Sequence, residues 1–439
     1  MGYSKPADAA EGSRFRWSGP FSRGRRSGQA ALLTLPLFFG SAGSCTPDSG
    51  ATPGGFVQRD TLENGVVRVR YSSLPPDRLG TAVADMEFGD VDGEEPFVFG
   101  DVRGVDADRD GNIYVLDYLA SEIRAFDRSG QFLRNVASKG QGPGEIGEAN
   151  GMILVGDSIL WAQDHGKWMM IGLSPEGGEV ARVPMHVRSY GFVWSGTVDN
   201  AGRMWKQQSH SDSEQPRPLP DGLNEGSSRS YWKSFDPLTN ATDSVFLGEA
   251  GWRTFVTQIG SGWSYMRIPF DSQPVTAVDP DGGFWHVQND AYRVARLNEA
   301  GDTTLVLEVN VDPIPVEPGD RAAFIDQVAE RGSEYRRTAE AVAELMPENK
   351  PVIEKLIPDD EGRLWVERSV REGAEPVYDI FDREGEYLGS VRLGFRPDQY
   401  RPIRIRHGFI YAVVLDEWDV PSVVRAPVPE EVGGGSRGS

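Results

Sequence analysis

With 439 residues, 38 % of them hydrophobic, and with 52 Gly and 30 Pro, the chain can bury a large core cut by many turns. Its formal net charge of −21 repels phosphate backbones and anionic lipid, which argues against nucleic acid as a partner and against direct docking on a membrane. A single cysteine, Cys45, excludes an internal disulfide.

The first predicted segment is a leader. Arg23, Arg25 and Arg26 precede an apolar run at 30–39 that is too short to span a bilayer, and small residues at 41–44 lead to Cys45. This order predicts a signal peptide over 1–44. Because it ends on the only cysteine, it resembles a bacterial lipoprotein signal, which implies acylation of Cys45 after cleavage. Ala42 departs from the Leu usual in that motif, and an ordinary signal with an incidental cysteine is the alternative. Residues 45–60 read as a flexible tether, 61–430 as the folded domain and 431–439 as a disordered tail. The expected location is the bacterial cell envelope, as a periplasmic or outer-membrane lipoprotein, or secretion. Membrane contact is then through the lipid anchor alone.

From residue 105 onward the sequence repeats itself. Units begin near Val105, Met152, Thr197, Ala277, Ile357 and Ile403, about 45 residues apart where nothing is inserted. Each has a tight polar turn, then an alternating apolar strand ("IYVLD", "ILWAQ", "RMWKQ", "FWHVQ", "RLWVE", "FIYAV"), a loop and a third strand. Most add a second turn and a fourth strand. The fold class is therefore all-β: a six-bladed β-propeller. The last unit lacks a fourth strand, and "GVVRVRYSSL" (65–74) has no unit of its own. It is expected to close the last blade and remove the free edges.

The turn "DADRDGNIYVLDY" (106–118) also spells the opening of a calcium loop. Asp106, Asp108 and Asp110 are weak metal candidates, but Tyr114 stands at a ligand position and Asp117 lies in a strand. A hairpin turn is the favoured reading. No cofactor is expected beyond a possible divalent metal.

Two insertions break the spacing. Residues 209–229 are polar and Pro-rich and read as mobile. Residues 319–350 read as a helical insertion between blades four and five, capped by Asp320, split at Gly332 and stopped by Pro347. It would serve as a lid over the channel mouth or as a cover for blade edges.

"VDADRDGNIYVLD", "FDRSGQFL" and "GQGPGEIG" resemble NHL-type repeats, and more closely bacterial secreted six-bladed β-propeller lipoproteins. The resemblance covers roughly residues 60–430 and implies fold; function has to come from a site. In a propeller, the loops between second and third strands and the connections between blades share one face. Here those segments are long and varied, so the site is expected there. The candidates are Asp117, Tyr118, Lys139, His165, Trp168, His186, Arg188, Tyr190, Tyr292, Arg368 and Trp418, with His210 nearby. Aromatics beside Arg, Lys and His suit a carbohydrate, peptide or protein ligand, although Trp168 and Trp418 would equally serve as blade packing.

No H-E-x-x-H, G-x-S-x-G or G-x-G-x-x-G motif is present. The expectation is an envelope-tethered, monomeric binding module. The alternative is a metal-dependent hydrolase or lyase of the six-bladed lactonase or amidating-lyase type, with Glu148, Asn150, Asn289 and Asp290 as conceivable ligands.

Overall fold

The computed structural model describes residues 56–90, 93–185, 197–210, 219–371 and 373–433, all within the second of two units of the chain, Pro53–Ser439. The leader with Cys45, most of the tether and residues 434–439 lie outside the described residues, as do His186, Arg188 and Tyr190.

The described strands form six sheets. Blade one comprises Val102–Ala107, Ile113–Asp117, Glu122–Phe126 and Phe132–Ala137; blade two runs from Ala149–Val155 to Glu179–Pro184. The second strand of each blade shows why these sequences fold this way. Side chains alternate across a strand, and here both sides are buried. In "IYVLD", Ile113 and Val115 pack with Tyr411, Val413 and Val423 of blade six. Tyr114 and Leu116 pack with Met152 and Leu154 of blade two. In blade five, Leu364 and Val366 face blade four while Trp365 faces blade six. Six such clusters, one between each pair of consecutive blades, carry the core round a ring. Truncating one fully buried member, such as Leu116→Ala, would cost about 2–5 kcal/mol.

An N-terminal strand does complete blade six, but it is Met86–Phe88, antiparallel to Pro421–Pro427. The expected closing strand is elsewhere. Val67–Tyr71 lies parallel to Thr303–Val309 on the rim of blade four, with Val57–Thr61 outside it. Leu79–Ala82 then lies parallel to Tyr387–Leu393 on blade five. The segment thus lays a strand on the rims of blades four, five and six in turn. Val69 and Tyr71 are buried at the first of these stops, and burying them there satisfies the alternation in "VRVRY" as well as blade six would have done.

Blade three carries the largest departure. Its third and fourth strands, Gly222–Phe235 and Thr242–Ile259, form a long hairpin, and Gly262–Arg267 adds a fifth strand. Residues 222–229, expected to be mobile, are paired in this sheet. The insertion forms two helices, α1 (Pro318–Ala329) and α2 (Ser333–Ala343). Asp320 sits at the third helical position of a capping box with Glu317, and Gly332 takes φ +148° between the helices. Their buried face, Val328, Ala339 and Val342, packs with Met346 just beyond α2 on Met266 and Ile268. The pair therefore braces the blade-three hairpin.

The first-turn aspartates are architectural. Asp108, Asp199, Asp279 and Asp359 each directly follow an inner strand, three residues before a glycine with φ between +80° and +109°. In three of them Oδ2 accepts a hydrogen bond from the aromatic six residues on: Tyr114 Oη at 2.8 Å, Trp205 Nε1 at 2.8 Å and Trp365 Nε1 at 2.9 Å. Asp106 instead accepts from the Leu154 N–H and pairs with Arg406, and Asp110 is exposed. The three carboxylates of the calcium reading thus serve different ends. Among the described residues no group of three or more His, Cys, Asp or Glu side chains is placed to hold a metal ion.

Candidate functional site

The expected site residues separate into local groups. Asp117 is fully buried and accepts from the N–H groups of Gly100, Asp101 and Leu119 at 3.0–3.2 Å, tying the connection into blade one to its own loop. Asp164 does the same in blade two through Gly147 and Glu148. The Arg103 guanidinium stacks 3.4 Å over the Tyr118 ring and donates to Asn150 Oδ1 at 2.6 Å. Tyr292 and Arg368 meet on the buried Asp379: the Tyr292 hydroxyl donates at 2.8 Å, and Arg368 Nε is 3.1 Å away. Asn289 Oδ1 accepts from the Gln273 N–H at 2.8 Å. Lys139, Glu148 and Asp290 are exposed, and Trp418 is 77 % exposed at the tip of its loop.

His165 is more suggestive. Its ring lies 5.9 Å from that of Trp168, and its Nε2 is buried without a hydrogen-bond partner. Burial, and then the positive charge of Lys206, holds its pKa below the ordinary value.

Lys206 opens onto a cleft of about 860 Å³ on the long-loop face. One wall is the blade-three hairpin with Trp232 and Trp252. The other is the connection from blade three to blade four, residues 267–274, with Phe270. Local structure positions each group. Trp252 lies opposite Gly226 in the hairpin, and a Cβ at Gly226 would fall 2.5 Å from its ring, so only glycine leaves it room. Arg253 is fixed by Glu225 at 3.0 Å and Asp271 at 2.8 Å. Phe270, at φ +62°, lies 5.2 Å below the Lys350 ammonium.

Two residues that line this cleft carry polar groups without a partner. Trp232 Nε1 is buried without a hydrogen-bond partner. Lys206 has no hydrogen-bond or ion-pair partner among the described residues, and burial pushes its ammonium down to about 8. An indole donor and a poorly solvated ammonium beside aromatic faces suit a ligand with oxygen acceptors on an otherwise stackable body.

The expectation of a mobile 209–229 hides this cleft, because part of that stretch is a strand of its wall. The signal was available in "TFVTQIGSGWSYMR" (254–267), where alternating apolar residues flank a Gly-Ser-Gly turn, the mark of an extra hairpin.

Residues 82–163 match the model of a family described as a 6-bladed beta-propeller, DUF5128. No curated protein matches the chain in sequence. Among solved structures, a protein from Bacteroides fragilis described as exported is 11 % identical, with 80 % of this chain and 99 % of that chain covered and a TM-score of 0.40. A member of the duf4221 family from Bacteroides vulgatus is 8 % identical, with 79 % and 97 % covered and a TM-score of 0.45. Virginiamycin B lyase from Staphylococcus aureus is 11 % identical, with 78 % and 99 % covered and a TM-score of 0.37. At such distances these likenesses carry no argument about activity.

Proposed function

We propose that the protein is an envelope-tethered binding module that takes a carbohydrate or peptide ligand in the long-loop cleft. The observation that carries this reading is the cleft itself. About 860 Å³ of space brings Trp232, Trp252 and Phe270 together with Lys206 and Arg253 on the face where the loops are longest. The lipid anchor at Cys45 and the export it requires belong to the same proposal, on the strength of the leader sequence alone.

Glycan and peptide arrays probed with the purified chain test it. Trp252→Ala removes a stacking face and Lys206→Gln removes the ammonium. Each is expected to weaken an array hit about tenfold or more. Hits that survive both substitutions unchanged would sink the cleft as the binding site.

A further inference from the structure

The central channel contains a cation that the fold leaves without a full partner. Arg404 and Arg406 stand two apart on the innermost strand of blade six, so both side chains leave the same side of it. Arg406 is fully engaged. Its Nη1 lies 3.0 Å from Asp106 Oδ1, and its Nη2 lies 3.2 Å from Asp157 Oδ1. The remaining oxygen of Asp106 accepts from the Leu154 N–H at 2.9 Å. Arg404 therefore meets Asp106 only at 4.0 Å, and its Nε and Nη2 are buried with no hydrogen-bond partner. Burial holds this guanidinium below its ordinary pKa, against the pull of Asp106.

The identity of those two atoms matters. Nε and Nη2 form one edge of the guanidinium, with two N–H bonds pointing the same way, the edge that grips both oxygens of a carboxylate. A buried donor pair left unmet is costly, and a ligand supplying its acceptors gains that cost back.

Arg404 lines two cavities. One, about 350 Å³, is the channel mouth at the first-turn face, where all six blades contribute. The other, about 310 Å³, runs between the inner strands of blades four, five and six, with Thr197 and Trp232 of blade three also on its wall. Its walls are mainly apolar, with Val275, Val278, Leu356, Ile357 and Ile403. A cavity of that size is at the lower end of the ~300–1,000 Å³ range of small-molecule sites. Lys355 and Arg401 also line it, but Lys355 lies 3.5 Å from Glu367 and Arg401 2.6 Å from Asp101. Arg404 is the cation there with unmet donors, and such a fork beside an apolar space selects an amphiphilic anion.

We propose that the central channel binds an organic monocarboxylate, its carboxylate paired with the Arg404 guanidinium, which lines both cavities, and its hydrocarbon or aromatic body in the 310 Å³ cavity. This site adjoins the long-loop cleft, with Trp232 and Thr276 lining both, but Arg404 lies outside the cleft and Lys206, Trp252 and Arg253 lie outside the 310 Å³ cavity.

Calorimetric titration of the full chain with octanoate and with phenylacetate tests the proposal. Octanol and inorganic phosphate are the controls. At least one of the two acids is expected to bind saturably, with octanol and phosphate each at least about tenfold weaker. Arg404→Gln is expected to weaken the acid about tenfold or more. Arg404→Lys keeps the charge without the fork, and should weaken it similarly if the first variant fails to fold. Arg109→Gln, at an exposed position on the same mouth, and Trp252→Ala, in the cleft, should leave acid binding unchanged. The proposal is overturned if neither acid binds, if octanol or phosphate binds as tightly, or if both Arg404 variants bind as wild type does. Loss of array hits in Trp252→Ala with acid binding intact separates the two sites.

Discussion

The Tyr71 hydroxyl staples blade four to blade five. It donates to the Gly385 carbonyl at 3.0 Å and accepts from the Tyr387 N–H at 2.8 Å, and all of these groups are buried. Tyr71→Phe keeps the ring but strands a carbonyl and an N–H. A buried polar group without a partner costs about 1–3 kcal/mol. The expected loss is therefore about 2 kcal/mol or more, read as a lower urea midpoint with an unchanged slope.

The N-terminal segment should show two separate effects on truncation. A chain beginning at residue 76 loses the two rim strands of blade four but keeps Met86–Phe88. It should fold with a lowered melting temperature. A chain beginning at residue 90 also loses the strand that closes blade six. Phe88, whose ring lies 4.6 Å from Phe126, leaves with it, and the edge at Val423–Arg425 is exposed. Free strand edges template association. This chain should elute as aggregate on size exclusion, and a monomer as stable as the first truncation would count against the closing role of Met86–Phe88.

The first-turn aspartates should behave as structural parts. Asp199 accepts from the Ala201 and Arg203 N–H groups at 3.0 Å and from Trp205 Nε1 at 2.8 Å. Asp199→Ala leaves a buried indole donor unpaired and is expected to cost about 2–3 kcal/mol. Asp108, at the equivalent turn of blade one, is held the same way by Asn112 and Tyr114. Calcium or EDTA should therefore leave the melting temperature of the wild-type chain unchanged. A rise with calcium that Asp108→Asn abolishes would restore the calcium-loop reading of 106–118.

These aspartates also show how far the sequence could be read. "DRDGNIY", "DNAGRMW", "DPDGGFW" and "DDEGRLW" share Asp, Gly and an aromatic at fixed offsets. The hairpin was legible from the glycine, while the aspartate-to-aromatic bond was not, because it closes only once the strand turns back on itself. The blade count followed from six repeated units. The closing strand did not, since 67–71 and 86–88 both fit a rim and only register decides between them. For the site, residue type marks chemically suggestive side chains, and packing decides what each of them meets. Asp117 and Tyr292 carry suggestive groups whose partners are already within the fold, the loop N–H groups of blade one and Asp379 of blade five. Lys206 and Arg404 are notable for partners they lack, which only the packing reveals.

The insertion should carry an acid-sensitive anchor. Asp320 Oδ1 lies 2.6 Å from Lys350 Nζ, both side chains 7 % exposed, and joins the start of α1 to the stem leading into blade five. Burial alone would raise the Asp320 carboxyl. The Lys350 hydrogen bond and the Glu317 N–H outweigh it and hold the pKa below the ordinary 3.8. A carboxyl depressed on folding stabilises the folded state above its unfolded pKa, and loses that contribution as pH falls through the lower, folded value. Asp320→Asn should therefore be less stable than wild type by about 2 kcal/mol at pH 7. The gap should hold down to about pH 4 and then close on further acidification. Because α1 and α2 brace the hairpin that bears Trp252 and Trp263, tryptophan fluorescence during urea unfolding reports it. A gap of constant size from pH 7 to pH 2 would show that the ion pair contributes nothing to holding the insertion in place.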